Sequence, residues 1–428
     1  MLLALALLLL VQPDTTDRPV ASPDTLEVDL EDDLEEEAEE IVEDVANLRV
    51  RPIFSISSLY SPSKGFGAGG GVALDRLASD RDHLQVEARI SERFQGAFGE
   101  YITGDFRRDP VVVTVGAAGW TTSRTRFVGH GPRSEPDGSL FLDRGAAEAE
   151  VRVGWSPTGP GGLLLQPKVR FQFDRIRGFE ESDDDGLESI RPGDLDRLRA
   201  LQGEDRYGLE VALTAIRDTR NIRPMPSRGE YLQAQIGRFE SLDGSGLGYW
   251  QAEGLAYFFR PALFRIPFLP ERGALFLRAT GVVTREDGDE GGGLPWVYLP
   301  DLDRDLLVGY PRSEFVGRDA ISLGVGARGV IGELIGAFLF EGVAMAMVGG
   351  AYDDVFEEFT PRIQFERDPI PEDEAVPLLP SLAVGMNIHF IDRERAIVGA
   401  LLGVGPTGTS LAGLRLVYGL GDYRPRLR

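Results

Sequence analysis

The sequence predicts an all-β fold, a 16-stranded antiparallel transmembrane β-barrel. Three observations predict it. Apolar and polar side chains alternate with a period of two, about 16 strand candidates of roughly 9–13 residues lie between Arg51 and Leu420, and tight connections interleave with long ones. The chain divides on composition into three parts: an expected signal peptide over residues 1–20, an acidic tail over 21–49, and a barrel domain over 50–428.

Met1–Val11 reads MLLALALLLLV, an apolar run of signal-peptide length. It lacks a basic leading region and a small-residue cleavage site, so an uncleaved anchor stays open beside the export signal. Between Asp24 and Asp44 acidic groups crowd the chain, including Glu31-Asp32-Asp33 and Glu35-Glu36-Glu37. Like charges so close repel one another and bury little, which predicts a solvated periplasmic tail. The run has neither the glycine nor the ligand spacing of a calcium loop.

From Arg51 onward the alternation dominates. In His83–Ser91, Leu84, Val86, Ala88 and Ile90 oppose Gln85, Glu87, Arg89 and Ser91. In Ala147–Trp155, Ala147, Ala149, Val151, Val153 and Trp155 oppose Glu148, Glu150 and Arg152. In Leu163–Asp174, Val169, Phe171 and Phe173 oppose Lys168, Arg170, Gln172 and Asp174, and Tyr207–Ala215 and Leu232–Ile236 follow suit. Successive side chains of a strand point to opposite faces, so each segment has one apolar and one polar face. A soluble sandwich and a membrane barrel share that pattern. Strand length separates them, because transmembrane strands need about 9–11 residues whereas globular strands centre on about 5–6. Charges of both signs on the polar faces suit a wet barrel interior, and an even strand number allows up-and-down closure without exposed edges.

The connections include tight ones, Arg107-Arg108-Asp109 and Pro406-Thr407-Gly408, and long polar ones, Glu181–Gly203, Glu286–Glu314 and Asp353–Pro380. Short periplasmic turns and long outer loops are the expected asymmetry. Trp120, Trp155, Trp250 and Tyr257–Phe259 fall near expected strand ends, where either interface girdles or core packing would place them. Leu334–Gly350 is the stretch nearest to a transmembrane helix, but it is short and carries Glu341; a helix stays open there.

Composition excludes several functions. The 428 residues contain no cysteine, so disulfides, thiolate metal sites and thiol catalysis are ruled out. A net charge of −24 argues against nucleic acid as a partner. The histidines, His83, His130 and His389, lack metal-ligand spacing. No G-x-S-x-G elbow occurs, and the glycine-rich Gly65–Gly71 lacks the lysine of a phosphate loop. No cofactor, no metal and no enzymatic activity are expected.

Four segments resemble the bacterial surface-antigen family of outer-membrane barrels, the BamA and TamA type. Asp218-Thr219-Arg220, Pro226 and Arg228-Gly229-Glu230-Tyr231-Leu232 resemble its D-x-R…P-x-R-G-x-Y-L turn. Leu307-Val308-Gly309-Tyr310-Pro311-Arg312 with Phe315-Val316-Gly317-Arg318 resembles its re-entrant loop. Phe340-Glu341-Gly342 is similar to the following F-x-D-x-G strand, and Arg126–Pro132 to an upstream F-x-G-x-G segment. The turn motif is moderately specific; read by itself, it is also what a well-made hairpin looks like.

The resemblance implies a barrel in the bacterial outer membrane, with membrane lipid and other envelope proteins as partners. It further implies a role in inserting or translocating outer-membrane proteins. A passive pore or structural barrel is the alternative. The re-entrant loop is implied to place Val308, Gly309 and Tyr310 inside the barrel. Val308 replaces the family's loop arginine, so Glu341, the luminal acid, is expected to find another partner, Arg312 first and Arg304 second. Asp218 and Arg220 are expected to pair across the turn shaped by Pro226 and Gly229. The acidic tail is too short and too charged for a polypeptide-transport-associated domain, so a barrel-only member is expected. The terminal aromatic usual in such barrels is replaced by Gly421–Arg428, and the last strand is expected to stop at Leu420.

Overall fold

Alternating side chains commit this chain to long strands, and strands need neighbours for their backbone hydrogen bonds. The computed structural model describes residues 49–57, 67–77, 81–104, 109–127, 140–159, 162–181, 199–221, 226–262, 273–287, 299, 307–308, 310, 316–334, 338–365, 370, 374–390, 396–405 and 408–418. The expected signal peptide and, except for Arg49, the acidic tail lie outside the described residues. Arg49–Arg428 form one compact unit.

The strands are β1 (Arg49–Ser57), β2 (Gly67–Asp75), β3 (His83–Ser91), β4 (Phe94–Ile102), β5 (Val111–Phe127), β6 (Leu140–Trp155), β7 (Leu163–Glu181), β8 (Asp205–Asp218) and β9 (Gly229–Ser241). They continue with β10 (Gly248–Pro261), β11 (Ala274–Glu286), β12 (Asp319–Leu334), β13 (Phe338–Tyr352), a one-turn helix α1 (Val355–Glu358), β14 (Phe359–Ile363), β15 (Val376–Phe390), β16 (Ala396–Gly405) and β17 (Gly408–Tyr418). Among the described residues they form one 17-stranded sheet. Each strand runs antiparallel to the next in sequence, except that β13 pairs with β15, and the short β14 lies parallel to the start of β15. β1 is paired on both edges, with β2 and with β17.

Leu334–Gly350, open to a helix in sequence, is strand over Phe338–Tyr352. Gly342, Gly349 and Gly350 disfavour a helix there, and β12 and β15 supply the hydrogen bonds. Several strands exceed the expected length: β7 has 19 residues and β5 has 17. The outer series of β7 runs Leu165, Val169, Phe171 and then turns to exposed Arg175, so the extra length projects past the apolar band.

The two faces of the sheet are inverted relative to a soluble protein. The outer face presents Val151, Val169, Val211, Leu213, Val325, Leu382 and Val384 to the surroundings; Val211 is 53% exposed. The inner face buries Glu87, Lys168, Glu210, Arg278 and Glu341, the last fully. A continuous exposed apolar face of this extent demands an apolar solvent.

Antiparallel alternation puts the connections 182–204, 287–318 and 353–375 at one end. The tight connection 406–407 lies at that same end, as does the reversal at Glu92-Arg93. The long connections thus share one end, the expected outer one, and the expectation is corrected only in that the tight connections 92–93 and 406–407 lie there too. Length follows local function, because a strand pair with no segment to bury needs only a two-residue turn.

The inward-folded segment and its walls

The long connection between β11 and β12 folds onto the inner face. Leu307, Val308 and Tyr310 are all buried. They pack with Val282 of β11, Ala320 of β12, Met347 and Ala351 of β13, and Leu379 and Ala383 of β15. The Tyr310 hydroxyl donates to the Pro380 carbonyl at 2.8 Å, and the Ser381 hydroxyl donates to the Val308 carbonyl. Gly405 of β16 makes room for the ring: a Cβ there would stand 2.9 Å from Tyr310 Cζ. Further back along the same connection, Leu299 packs on the stacked pair Phe239 and Tyr249, from the inner faces of β9 and β10. The connection thus touches the inner wall at two separated places. The wall it covers is built of small and apolar side chains, which lets backbone approach backbone.

Glu341 lies on the inner face of β13 but at another level. Met347 stands opposite Ser381 and Glu341 opposite Asn387, six residues along the strand and so about 20 Å apart. Val308 and Tyr310 therefore sit against the strand that bears Glu341 without reaching the acid. Glu341 takes its charge partner from the adjacent strand: Arg328 of β12 bonds its Oε1, and Asn387 of β15 donates to Oε2 at 2.9 Å. The sequence reading missed Arg328. Val330 stands directly opposite Glu341, so Arg328, two residues away on the same face, reaches the acid along a diagonal that only the register reveals. Gly309, Arg304 and Arg312 lie outside the described residues.

The wall of β6–β8 is of a different kind. Arg170 donates from Nε to Glu210 at 2.8 Å and from a terminal nitrogen to Glu148 at 3.3 Å. Lys168 meets Glu210 at 2.7 Å, and Gln172 donates to Glu210 at 3.1 Å. Arg144 Nε donates to Asp174 at 2.6 Å, and Arg152 pairs with Glu150. Cross-strand partners of opposite sign line up because the ladder sets Arg170 between Glu150 of β6 and Glu210 of β8.

The turn between β8 and β9 is built as its residues suggest. Arg220 donates two parallel bonds to Asp218, each 2.8 Å, and its guanidinium carbon lies 4.7 Å from the centre of the Tyr231 ring. Burial alone would lower the Arg220 pKa, but the Asp218 contact outweighs it and raises it. Asn221 Oδ1 accepts the amides of Ser227 and Arg228, each at 3.1 Å. Pro226 is buried. Gly229 has φ +103°, and a Cβ there would stand 2.4 Å from the Thr219 carbonyl oxygen, so no other residue fits without strain.

Aromatics divide between the two faces. Trp155 and Trp250 point outward, whereas on the inner face Tyr257 stacks on Phe259, which meets Phe276 at a tilt. Among the described residues no group of three His, Cys, Asp or Glu side chains is placed to hold a metal ion.

The sequence matches no family model and no curated protein. Its fold does match solved structures. The BamA of Haemophilus ducreyi lacking POTRA domains 1–3 superposes with a TM-score of 0.56 at 10% identity, covering 86% of this chain and 69% of that one. The fold is that of the BamA outer-membrane barrel. CdiB of Acinetobacter baumannii (TM-score 0.47, 11% identity, 87% of this chain, 60% of that one) and CdiB of Escherichia coli (0.49, 10%, 86%, 62%) are more distant. The chain spans about six tenths of each CdiB. In a BamA-type barrel the inner face is the lumen and the apolar outer face meets lipid. The exterior described above has that character, and the chain is an outer-membrane one.

Proposed function

We propose that the strands other than β14 close as a sixteen-stranded ring, and that this barrel assists the insertion or translocation of other outer-membrane polypeptides. The observation that carries the proposal is the unevenness of the ring. β1 and β17 share four paired residues, Phe54–Ser57 with Arg415–Tyr418, while β1 and β2 share seven. Each missing pair leaves strand edges short of partners, so this seam is the place where the ring opens at least cost and where an incoming strand can pair. The buried Leu307, Val308 and Tyr310 support the reading, since a lumen narrowed by packed chain suits lateral traffic better than free diffusion. So do the turn and loop segments that resemble the surface-antigen family. The role is one of binding and passage, with no covalent chemistry, and its partners are membrane lipid and client envelope proteins.

The test is a lock. Ile56 and Leu416 are direct partners across the seam, and the chain has no cysteine of its own. Ile56→Cys with Leu416→Cys, oxidised, should deplete other outer-membrane proteins as severely as loss of the protein does, and reduction should restore them. Unchanged outer-membrane protein levels in both the locked and the depleted cells would end the proposal.

One observation favours a second reading, a passive pore. The charged wall of β6–β8 is a surface that water would wet. Electrical conductance separates the two.

A further inference from the structure

The connection between β13 and β15 contains its own ordered piece. Asp354 caps α1, its carboxylate accepting the Phe356 amide at 2.9 Å. The chain then runs extended through β14, with Phe359 opposite Val376 and Ile363 opposite Leu378. The Gln364 amide donates to the Leu378 carbonyl at 3.0 Å, carrying the extended run one residue further. Phe359, Pro361, Ile363 and Phe365 are all exposed, whereas Thr360 and Gln364 are half-buried, and the register against β15 slips between Phe359 and Ile363.

The apolar face is open. Phe365 is 73% exposed and Phe356 82%, with Phe359 and Ile363 above 40%. The neighbours of this segment are covered, in contrast: Tyr352, Val376 and Leu378 are buried, and Phe359 meets Tyr352 edge-on at 6.1 Å. Two contacts tie the segment to the lipid-facing side. Phe356 lies 5.9 Å from the guanidinium carbon of Arg285, and Arg285 stands in register with outward-facing Trp250. β14 also pairs with the strand whose exposed series is Leu382, Val384 and Met386. An exposed aromatic face continuous with a lipid-facing band, at the level of an outward tryptophan, has the composition of a membrane–water interface.

We propose that Val355–Phe365 is an interfacial anchor that lays Phe356, Phe359, Ile363 and Phe365 into the outer leaflet of the membrane. The occupant of this face is lipid, at the boundary of headgroups and acyl chains. Thr360, Arg362 and Gln364 stay on the polar side. The anchor fixes the connection at the rim beside β13 and β15, the strands that carry the wall under Tyr310.

The test uses the full chain folded into phosphatidylcholine vesicles, with single cysteines carrying an environment-sensitive fluorophore. Phe365→Cys and Phe356→Cys are the probes, Val384→Cys is the lipid-facing reference, and Ser245→Cys, in the connection 242–247 at the same end, is the water-facing one. Heat-modifiable gel migration confirms that each variant is folded, and two probe positions guard against the loss of one. Both probes should be quenched by nitroxide-labelled lipid as Val384→Cys is. Iodide on both sides of the membrane should quench them several-fold less than Ser245→Cys. Iodide quenching equal to that of Ser245→Cys, with none from the lipid nitroxide, would overturn the proposal. Shielding from both quenchers that weakens on dilution of the protein would also overturn it, and would assign the face to a second copy. If Val384→Cys itself behaves as a water-facing site, the lipid-facing reading of the whole exterior falls with it.

Discussion

The lumen has two walls that obey one pattern and do opposite things. Along β6–β8 the inward positions carry a cluster of charges, in which Arg170, Lys168, Glu148 and Glu210 neutralise one another. Along β11–β16 the inward positions near the outer end are Val282, Ala320, Met347, Ala351 and Ala383, and the connection carrying Tyr310 packs on them. The period of two is the same in both. What differs is the neighbour: a wall that meets water satisfies charges with cross-strand partners, and a wall that meets its own chain needs small apolar side chains for contact. One wall is thereby lined with paired charges, and the other carries packed residues of its own chain.

That contrast can be broken most directly at Tyr310. Tyr310→Ala removes a buried ring from a packed wall and should cost about 3–5 kcal/mol of loop docking. A comparable truncation on the charged wall, Gln172→Ala, should cost about 1 kcal/mol, because luminal water replaces the lost bond to Glu210. Limited proteolysis of the connection and thermal unfolding in detergent give both numbers; equal effects would erase the distinction between the walls. The exterior offers the next largest effect. Val153→Arg on the lipid side of β6 should cost about 2–4 kcal/mol in membranes, while Arg152→Ala, facing the lumen next door, should cost less. Reversal of that order would put β6 the other way round. The smallest effect is local to the turn. Gly229→Ala should lose about 1–3 kcal/mol through strain at its positive φ, visible as a lowered midpoint in urea, and a neutral result would show that the turn relaxes.

Much of the fold was legible because alternation needs no long-range information. Val151 and Val153 against Glu150 and Arg152, or Lys168 and Arg170 against Val169 and Phe171, declare their faces within one strand. Strand direction and pairing order follow for the same reason. The pair Asp218–Arg220 and the need for Gly229 were legible too, being set within one turn. Arg328 was not, because its diagonal meeting with Glu341 depends on the register between two strands, and no local pattern encodes that. β14 was also missed, hidden in a stretch assigned as a long loop. Its signal, Phe359, Pro361, Ile363 and Phe365 at every second position, was present but too short to stand out against nine Asp and Glu in residues 353–375. The separation of about 20 Å along β13 between Met347, against which Tyr310 packs, and Glu341 is a third case. The resemblance put Tyr310 and Glu341 inside one barrel, but their depth depends on how far the connection descends, which packing on Met347 and Ala351 decides.

The central claim is that the inward-folded connection closes the lumen from the β11–β16 side. Single-channel recording in planar bilayers tests it, comparing the native chain with one lacking Asp303–Ser313. The native protein should conduct ions poorly, and the deletion should raise conductance sharply, because the charged wall of β6–β8 then faces open water. A native barrel that already conducts like an open porin, unchanged by the deletion, would contradict the account and make the passive pore the better description.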